Sequence, residues 1–265
     1  MYFLRLTCPV ADVEQVSVEL WDAGTEGIQE MDQGDASVLL AGFATNDDRA
    51  MLLQHFARYA PEWEHGEATD WIAHTKESWP PRSVGEQLFL APPWCADATP
   101  GGRHRVIHNP GMACGTGEHP CTQLALEALE KSVTRGHAVV DVGTGSGILA
   151  IAALRLGAGI AVGVDTDEAA LAAARENFIL NDLRPTLAAG SADILRPEAA
   201  DVTIANISGT VLLYLADDLL RITKPRGTLI LTGFPESEAP AFQRLFPTAE
   251  SSALNEWRCL IATLP

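Results

Sequence analysis

We infer the fold of this chain from the stretch Val139-Val140-Asp141-Val142-Gly143-Thr144-Gly145-Ser146-Gly147-Ile148-Leu149-Ala150. It begins with apolar residues on both faces of a strand, which is typical of a central strand in a parallel sheet covered by helices. Three glycines at alternate positions then allow the backbone to turn sharply and to approach a ligand closely. The apolar residues after the turn predict a helix. The stretch therefore predicts a strand, a turn and a helix, with a ligand pocket at the carboxyl end of the strand.

An acidic residue completes this pocket. Asp165 comes eighteen residues after Gly147, where it ends a second apolar strand, and Asp193 follows a third strand-like stretch. A carboxylate at the position of Asp165 can accept hydrogen bonds from a ribose diol, so the pattern indicates a cofactor that contains a nucleoside. Dinucleotide-binding folds usually have a further glycine near the start of the helix, whereas this chain has Ile148 there. A nicotinamide oxidoreductase, a non-catalytic binding protein and a turn without a ligand remain as alternatives.

Alternating strands and helices fill the chain from residue 119 onward, which predicts a doubly wound α/β domain. We expect strands near 138–142, 161–165, 186–190, 202–206 and 228–233, and helices that include 168–180 and 208–222. Before it, residues 1–65 follow a β-α-β-β-α order, which is typical of a small ferredoxin-like α+β domain. Residues 61–78 are polar and have little apolar periodicity, so they resemble a linker in which Trp63 and Trp71 must still pack. We set the domain limits at 1–65, 66–78 for the linker and 79–265.

The composition indicates a cytoplasmic protein. The longest apolar runs are short and interrupted, so we expect no transmembrane helix and no signal peptide. The five cysteines are scattered and form no C-x-x-C pair, which argues against a zinc site or a disulfide framework and favours a reducing compartment.

The charge of the chain is strongly negative, at −17 overall. Residues 1–65 hold twelve acidic and three basic residues, which gives −9 in about a quarter of the chain. A negative field of this kind disfavours direct nucleic-acid binding and favours an encounter with a basic protein. An acidic surface that only maintains solubility explains the composition equally well.

Two further segments carry candidate binding residues. The tract Asn109-Pro110-Gly111-Met112-Ala113-Cys114-Gly115-Thr116-Gly117-Glu118-His119-Pro120-Cys121-Thr122 precedes the glycine strand, so it can fold over the same pocket. Thr122 lies in the first turn of the next predicted helix, where its hydroxyl can bond a ligand or serve as an ordinary helix-start residue. Asn206 ends a later strand and offers a donor and an acceptor. Its alternative role is to cap the helix that begins near Ser208.

These motifs together resemble the bacterial lysine methyltransferases of large-subunit ribosomal protein 11, which are class I S-adenosylmethionine-dependent enzymes. The resemblance rests on N-P-G-M-A-C-G-T-G-E-H-P-C-T, V-D-V-G-T-G-S-G-I-L-A-I-A-A, V-D-T-D and A-N-I, and it covers nearly the whole chain. It implies a Rossmann-like domain with a seven-stranded, mostly parallel sheet, and a small N-terminal domain that recognises the substrate. It also implies S-adenosylmethionine contacts at Thr122, Gly143, Asp165 and Asn206, to which we add Gly145 in the turn and Thr116 in the loop.

The function implied by the resemblance is methyl transfer to lysine side chains of ribosomal protein 11, with its α-amino group as a further acceptor. We expect a monomer that acts on the protein before ribosome assembly, without contacting nucleic acid or a membrane. Cys121 stands where the family usually has Thr, and Ser208-Gly209-Thr210 replaces a more usual Leu-Ala after A-N-I. The alternative is therefore an enzyme of the same fold that acts on another protein or on a small molecule.

No residue in the sequence is compelling as a general base. His119 is the nearest titratable candidate, but a helix-capping or packing role is favoured for it. Asn206 can help to orient an amine, although the N-P-P-Y arrangement of nucleic-acid amino methyltransferases is absent.

Overall fold

The structure, a computed structural model, describes residues 2–25, 27–32, 36–65, 79–109 and 119–265. The chain divides into two compact units, Met1–Trp79 and Pro80–Pro265. The expected linker at 66–78 lies outside the described residues, so the exact domain limits stay a prediction. Among the described residues, no helix is both long enough and apolar enough to cross a bilayer.

The first unit is a four-stranded antiparallel sheet with two α-helices. Its strand order is β2-β3-β1-β4, and its chain order is β-α-β-β-α-β, which confirms the predicted ferredoxin-like arrangement. Fully buried side chains of the sheet and both helices form its core. The elements are β1 (Tyr2–Pro9), α1 (Val13–Asp22), β2 (Gly27–Asp32), β3 (Ala36–Phe43), α2 (Arg49–His55) and β4 (Glu62–His65).

Strand β4 was not predicted, because its alternation of polar and aromatic residues resembled a linker. It pairs with β1 so that Leu4 lies opposite Trp63. The indole of Trp63 stacks on Phe43, with ring centroids 5.6 Å apart. The first part of the polar segment, residues 62–65, is therefore a strand of the sheet, and the packing of Trp63 stabilises it there.

The second unit contains a seven-stranded sheet with the order β10-β9-β8-β11-β12-β14-β13, and a separate three-stranded sheet β5-β6-β7. In the larger sheet, β14 is antiparallel to β12 and β13, and the other pairs are parallel. The predicted Rossmann-like sheet is confirmed. Its strands are β8 (Ala138–Val142), β9 (Ile160–Asp165), β10 (Leu187–Ala189), β11 (Ala200–Asn206), β12 (Thr223–Pro235), β13 (Glu250–Leu254) and β14 (Trp257–Thr263), and the smaller sheet has β5 (Arg82–Val84), β6 (Leu88–Ala91) and β7 (His104–Ile107).

Helices cover both faces of the larger sheet, and each face has its own apolar core. The helices are α3 (Pro120–Ser132), α4 (Ile148–Arg155), α5 (Glu168–Leu180), α6 (Gly209–Tyr214), α7 (Ala216–Ile222) and α8 (Ala239–Leu245). The single helix expected over 208–222 is wrong, because the chain breaks it into α6 and α7 at Leu215. Strands β5 and β13 and helix α8 were not predicted individually.

The order of the strands determines where a ligand can bind. From β8 the chain moves outward through β9 and β10, and it then returns to the other side of β8 as β11. Ligands of open α/β sheets bind at such a switch point, outside the carboxyl ends of the strands. The glycine turn follows β8, and Asn206 ends β11, so both lie at this point.

Candidate active site

The glycine turn has a backbone that only glycine adopts easily. Gly143, Gly145 and Gly147 have φ angles of 71°, 53° and 80°. The N–H groups of Gly143 and Thr144 both donate to the carbonyl of Val164, at 2.9 and 3.0 Å, so the turn is tied to the neighbouring strand. A Cβ atom on Gly143 would lie 2.4 Å from Cγ2 of Ile207, which leaves no room for a side chain. The turn is therefore a tight, preformed cradle.

Asp165 lies at the carboxyl end of β9 and faces this turn. One of its carboxylate oxygens accepts a hydrogen bond from the N–H of Gly145 at 2.9 Å. The other accepts from the N–H of Asp167 at 3.0 Å. A carboxylate has about four acceptor positions, so this half-buried group can still bind two hydroxyl groups. The structure brings Gly143, Gly145 and Asp165 together as predicted, whereas Asp193 is exposed on a short 3₁₀ helix.

Thr122 and Asn206 also meet. The side-chain amide of Asn206 donates to Oγ1 of Thr122 at 3.3 Å, although the two residues are 84 positions apart. Thr122 is 2% exposed and Asn206 is half-buried. Ser208 rather than Asn206 is the N-cap of α6, and no side-chain cap hydrogen bond is present there. This contact directs the carboxamide toward α3, so the capping alternative for Asn206 is not observed.

The loop that contains Thr116 lies outside the described residues, and the predicted role of Thr116 stays a prediction. Its two flanks are described. On one side His119 is the N-cap of α3, where its ring nitrogen accepts from the N–H of Cys121 at 3.3 Å. The ring also packs edge-on against Trp257, with centroids 4.6 Å apart. Burial lowers the pKa of His119 below its ordinary value, although the nearby carboxylate of Glu256 opposes the shift. These contacts fit the capping and packing role favoured from the sequence.

The other flank is held by two asparagines that the sequence analysis missed, one within α5 and the other at its C-cap. Asn177 accepts from the N–H of Asn109 at 2.8 Å and donates to the carbonyl of Ser146 at 3.0 Å. Asn181 bonds both the N–H and the carbonyl of Ile107, at 2.9 and 2.6 Å. We call Asn177 and Asn181 the asparagine clamp. It joins the end of β7, the start of the loop and the glycine turn into one hydrogen-bonded unit.

A buried histidine strengthens the same connection. Nε2 of His108 lies 2.9 Å from the hydroxyl of Ser146 in the glycine turn. Burial lowers the pKa of His108 to about 4, so the ring is neutral at physiological pH. The sequence shows only that two carboxamides are spaced i, i+4 at the end of a predicted helix, a spacing that places them on one face, and it does not show their distant partners.

Asp141 is the second buried group that sequence reasoning missed. This residue of β8 is fully buried, and its Oδ2 accepts from the hydroxyl of Thr144 at 2.7 Å and from the N–H of Ala150 at 3.2 Å. Its other oxygen has no hydrogen-bond partner among the described residues. Burial raises the pKa of Asp141 to about 7. The carboxyl group therefore links the glycine turn to the first turn of α4 by hydrogen bonds.

Within the described ranges, no group of three or more His, Cys, Asp or Glu side chains is arranged to hold a metal ion. What the described residues offer is a glycine cradle, a carboxylate beside it, and a hydroxyl–carboxamide pair at the same edge of the sheet. Such a site can bind a nucleoside through its diol and can place a polar group of a second substrate beside it.

Comparisons with known proteins agree with this geometry. Residues 4–264 match the family described as ribosomal protein L11 methyltransferase (PrmA). The chain is 36% identical over 266 aligned positions to the ribosomal protein L11 methyltransferase of Geobacter metallireducens, covering 93% of this chain and 88% of that protein. It is 37% identical over 259 positions to the corresponding protein of Pseudomonas paraeruginosa, covering 90% and 87%. A crystal structure of ribosomal protein L11 methylase from Lactobacillus delbrueckii subsp. bulgaricus superposes with a TM-score of 0.62 at 29% identity, over 69% of this chain and 97% of that one.

Proposed function

Because this chain belongs to the ribosomal protein L11 methyltransferase family, we propose that it is an S-adenosylmethionine-dependent enzyme that methylates lysine side chains of ribosomal protein L11, with the α-amino group as a further acceptor. The observation that carries the proposal is the meeting of three features at one edge of the sheet. These are the glycine cradle, the carboxylate of Asp165 and the Thr122–Asn206 pair.

The described residues fit S-adenosylmethionine. The positive φ angles of the glycine turn expose its backbone without side chains, and Asp165 keeps acceptor positions for a ribose diol. The turn lacks the further glycine that usually helps to hold a pyrophosphate, since Ile148 begins the helix there. This argues for a phosphate-free nucleoside and against a nicotinamide cofactor. Thr122, Gly143, Gly145, Asp165 and Asn206 are the described residues that we propose as contacts.

The chemistry asks little of the protein beyond alignment. When bound, S-adenosylmethionine would supply a methyl group on a sulfonium sulfur, so that a new N–C bond could form as the S–C bond breaks with its electron pair left on sulfur. The side-chain N–H of Asn206 is directed at Thr122, which leaves the carboxamide oxygen to accept a hydrogen bond from the incoming amine. Holding the amine in line in this way is the main contribution of the site.

The amine must lose a proton before it can attack. A lysine has an ordinary pKa of about 10.4. Removal from water and a neighbouring positive charge both favour its neutral form, so a strong base is not required. Among the described residues, His119 is committed to capping α3 and to its contact with Trp257. We therefore propose that the proton leaves to solvent.

The acidic first unit is our candidate for substrate recognition. Residues 1–65 carry a net charge of −9, and two of the acidic residues in this count, Glu62 and Glu64, are exposed on the edge strand β4. A field of this sign attracts a basic protein and repels RNA. We place the reaction in the cytoplasm, on the ribosomal protein before assembly, and we propose that the enzyme acts as a monomer.

The test is transfer of a labelled methyl group from S-adenosylmethionine to purified ribosomal protein L11. We expect the label on lysine and at the α-amine, located by mass spectrometry. Deletion of residues 1–65 should abolish this transfer while calorimetry still detects S-adenosylmethionine binding. Cofactor binding without transfer to L11 would favour the alternative of another protein or a small molecule. Binding of NAD in place of S-adenosylmethionine would reject the proposal.

A further inference from the structure

Trp257 is the first residue of β14 and lies at the edge of the sheet that carries the proposed methyl-transfer position. Across the carboxyl edge the register places Asn206 opposite Thr232, and Thr232 opposite Cys259. Strand β14 runs antiparallel to β12, so Trp257 lies two residues past this row in the direction of the active-site edge. At about 3.4 Å per residue and about 4.8 Å between neighbouring strands, its backbone is about 7 Å above this row and two strands, about 10 Å, to the side of Asn206.

The side chain of Trp257 leans toward the same helix that carries Thr122. Successive side chains of a strand alternate between faces, so Trp257 shares a face with Cys259, which is buried in the core beneath α3. Its indole contacts His119, which precedes Thr122 by three residues. The indole packs partly against that core and stays half-exposed, so part of its surface remains accessible to a second molecule.

A negative charge accompanies the indole. Glu256 is exposed, and its carboxylate is close enough to His119 to raise the pKa of that ring against the effect of burial. The neighbouring cation does not neutralise it, because the guanidinium of Arg258 pairs with Glu236 and bonds the carbonyls of Asn255 and Trp257. No ion pair to Glu256 occurs in the part of the chain that the structure describes.

We infer that Trp257 and Glu256, which we call the aromatic rim, form the side of the active site along which the substrate ammonium group reaches Asn206. The inference rests on the proposed lysine methylation. The carboxylate attracts the charged amine, and the indole contacts its alkyl stem and its cationic head. Aromatic faces attract cations, and quaternary ammonium groups are recognised in this way.

The aromatic rim also affects the methyl transfers that follow the first one on the same lysine. In each round the ammonium would lose one proton to solvent, and one N–C bond would form as one S–C bond of a fresh S-adenosylmethionine breaks with its electron pair left on sulfur. The product is more apolar, and its positive charge is retained. The indole holds such a methylated cation at least as well as the unmodified one. The aromatic rim thus favours repeated methylation of the same nitrogen.

The experiment compares Trp257→Leu with Trp257→Phe in the full-length protein. Leu keeps an apolar side chain without an aromatic face, and Phe keeps the face. For Trp257→Leu we expect the KM for ribosomal protein L11 to rise about 3-fold to 30-fold, with a lower ratio of multiply to singly methylated lysine by mass spectrometry. Trp257→Phe should stay close to wild type in both. Calorimetry should show the same affinity for S-adenosylmethionine in all three proteins.

The charge is tested with Glu256→Gln, for which we expect a higher KM that converges with wild type at high salt. Glu250→Gln is its control, because Glu250 is an exposed acid that lies opposite Ile261, toward the other end of β14. Equal losses of thermal stability and kcat in both Trp257 variants, with an unchanged methylation ratio, would overturn the inference and leave lysine methylation intact. Absence of lysine methylation in the wild type would instead overturn the proposed function.

Discussion

Asp141 makes the stability of the protein depend on pH in an unusual direction. Its carboxyl group is fully buried, one oxygen lacks a partner among the described residues, and burial raises its pKa from the ordinary 3.8 to about 7. Between pH 3.8 and about pH 7, the folded state therefore keeps a proton on Asp141 that the unfolded chain has already released. The contribution of Asp141 is fully present below pH 3.8 and is lost as the pH rises through about 7.

The magnitude follows from the two pKa values. Each unit of pKa difference corresponds to about 1.4 kcal/mol. Between pH 5 and pH 7, the folded carboxyl group stays largely protonated while the unfolded one is ionised. This interval should therefore remove about 2 kcal/mol from the free energy of unfolding.

Asp141→Asn abolishes this titration and keeps the shape of the side chain. Urea unfolding of both proteins at pH 5, 6 and 7, followed by circular dichroism, gives the difference in unfolding free energy at each pH. We expect the variant to gain about 2 kcal/mol relative to wild type from pH 5 to pH 7. Asp201→Asn is the control, because Lys224 at 2.7 Å and the N–H of Ala138 help to keep the pKa of Asp201 below its ordinary value. Its difference from wild type should be flat over this range, and a flat difference for Asp141→Asn would refute the reasoning.

Three further variants test the site. Asp165→Ala should weaken S-adenosylmethionine binding by about 1–3 kcal/mol, because a diol loses a charged acceptor, and an unchanged affinity by calorimetry would contradict the assignment. Gly143→Ala should lower the unfolding free energy by at least about 1 kcal/mol more than Gly102→Ala. Both positions have positive φ, but a Cβ atom at Gly143 would meet Ile207, whereas nothing lies within 4 Å of the Cβ position at Gly102. Equal losses in thermal or urea unfolding would show that the contact is unimportant. Asn177→Ala should lower the unfolding free energy by about 1–3 kcal/mol and should also weaken cofactor binding. If urea unfolding shows the loss of stability but calorimetry shows an unchanged cofactor affinity, its role in positioning the turn is rejected.

Much of the second unit could be predicted from the sequence, because its patterns are local. An apolar strand followed by alternate glycines specifies the turn, and the acid that ends the next strand specifies the neighbour. The predicted limits of β8 and of α5 agree with the structure. The parallel sheet then brings Gly143, Asp165 and Asn206 to one edge by topology alone.

The features that the sequence did not reveal depend on distant partners. Strand β4 reads as a polar linker until Trp63 is seen to pack on Phe43. Asn177 and Asn181 read as ordinary helix residues, because their partners lie 68 and 74 positions away. The environment of Asp141 was missed for another reason. This residue lies inside an apolar strand, but the sequence does not show that one of its carboxyl oxygens has no hydrogen-bond partner among the described residues.

The asparagine clamp also limits how α5 can change during evolution. Each residue of an α-helix advances by about 100° around the axis, so one residue inserted or deleted between Asn177 and Asn181 would turn one carboxamide away from its partners. Indels in this turn of the helix would disconnect Ile107 or Ser146, whereas length changes after Asn181 would leave both attachments in place. The four-residue spacing of the two amides is thus constrained by their hydrogen-bond partners, although α5 has no proposed contact to either substrate.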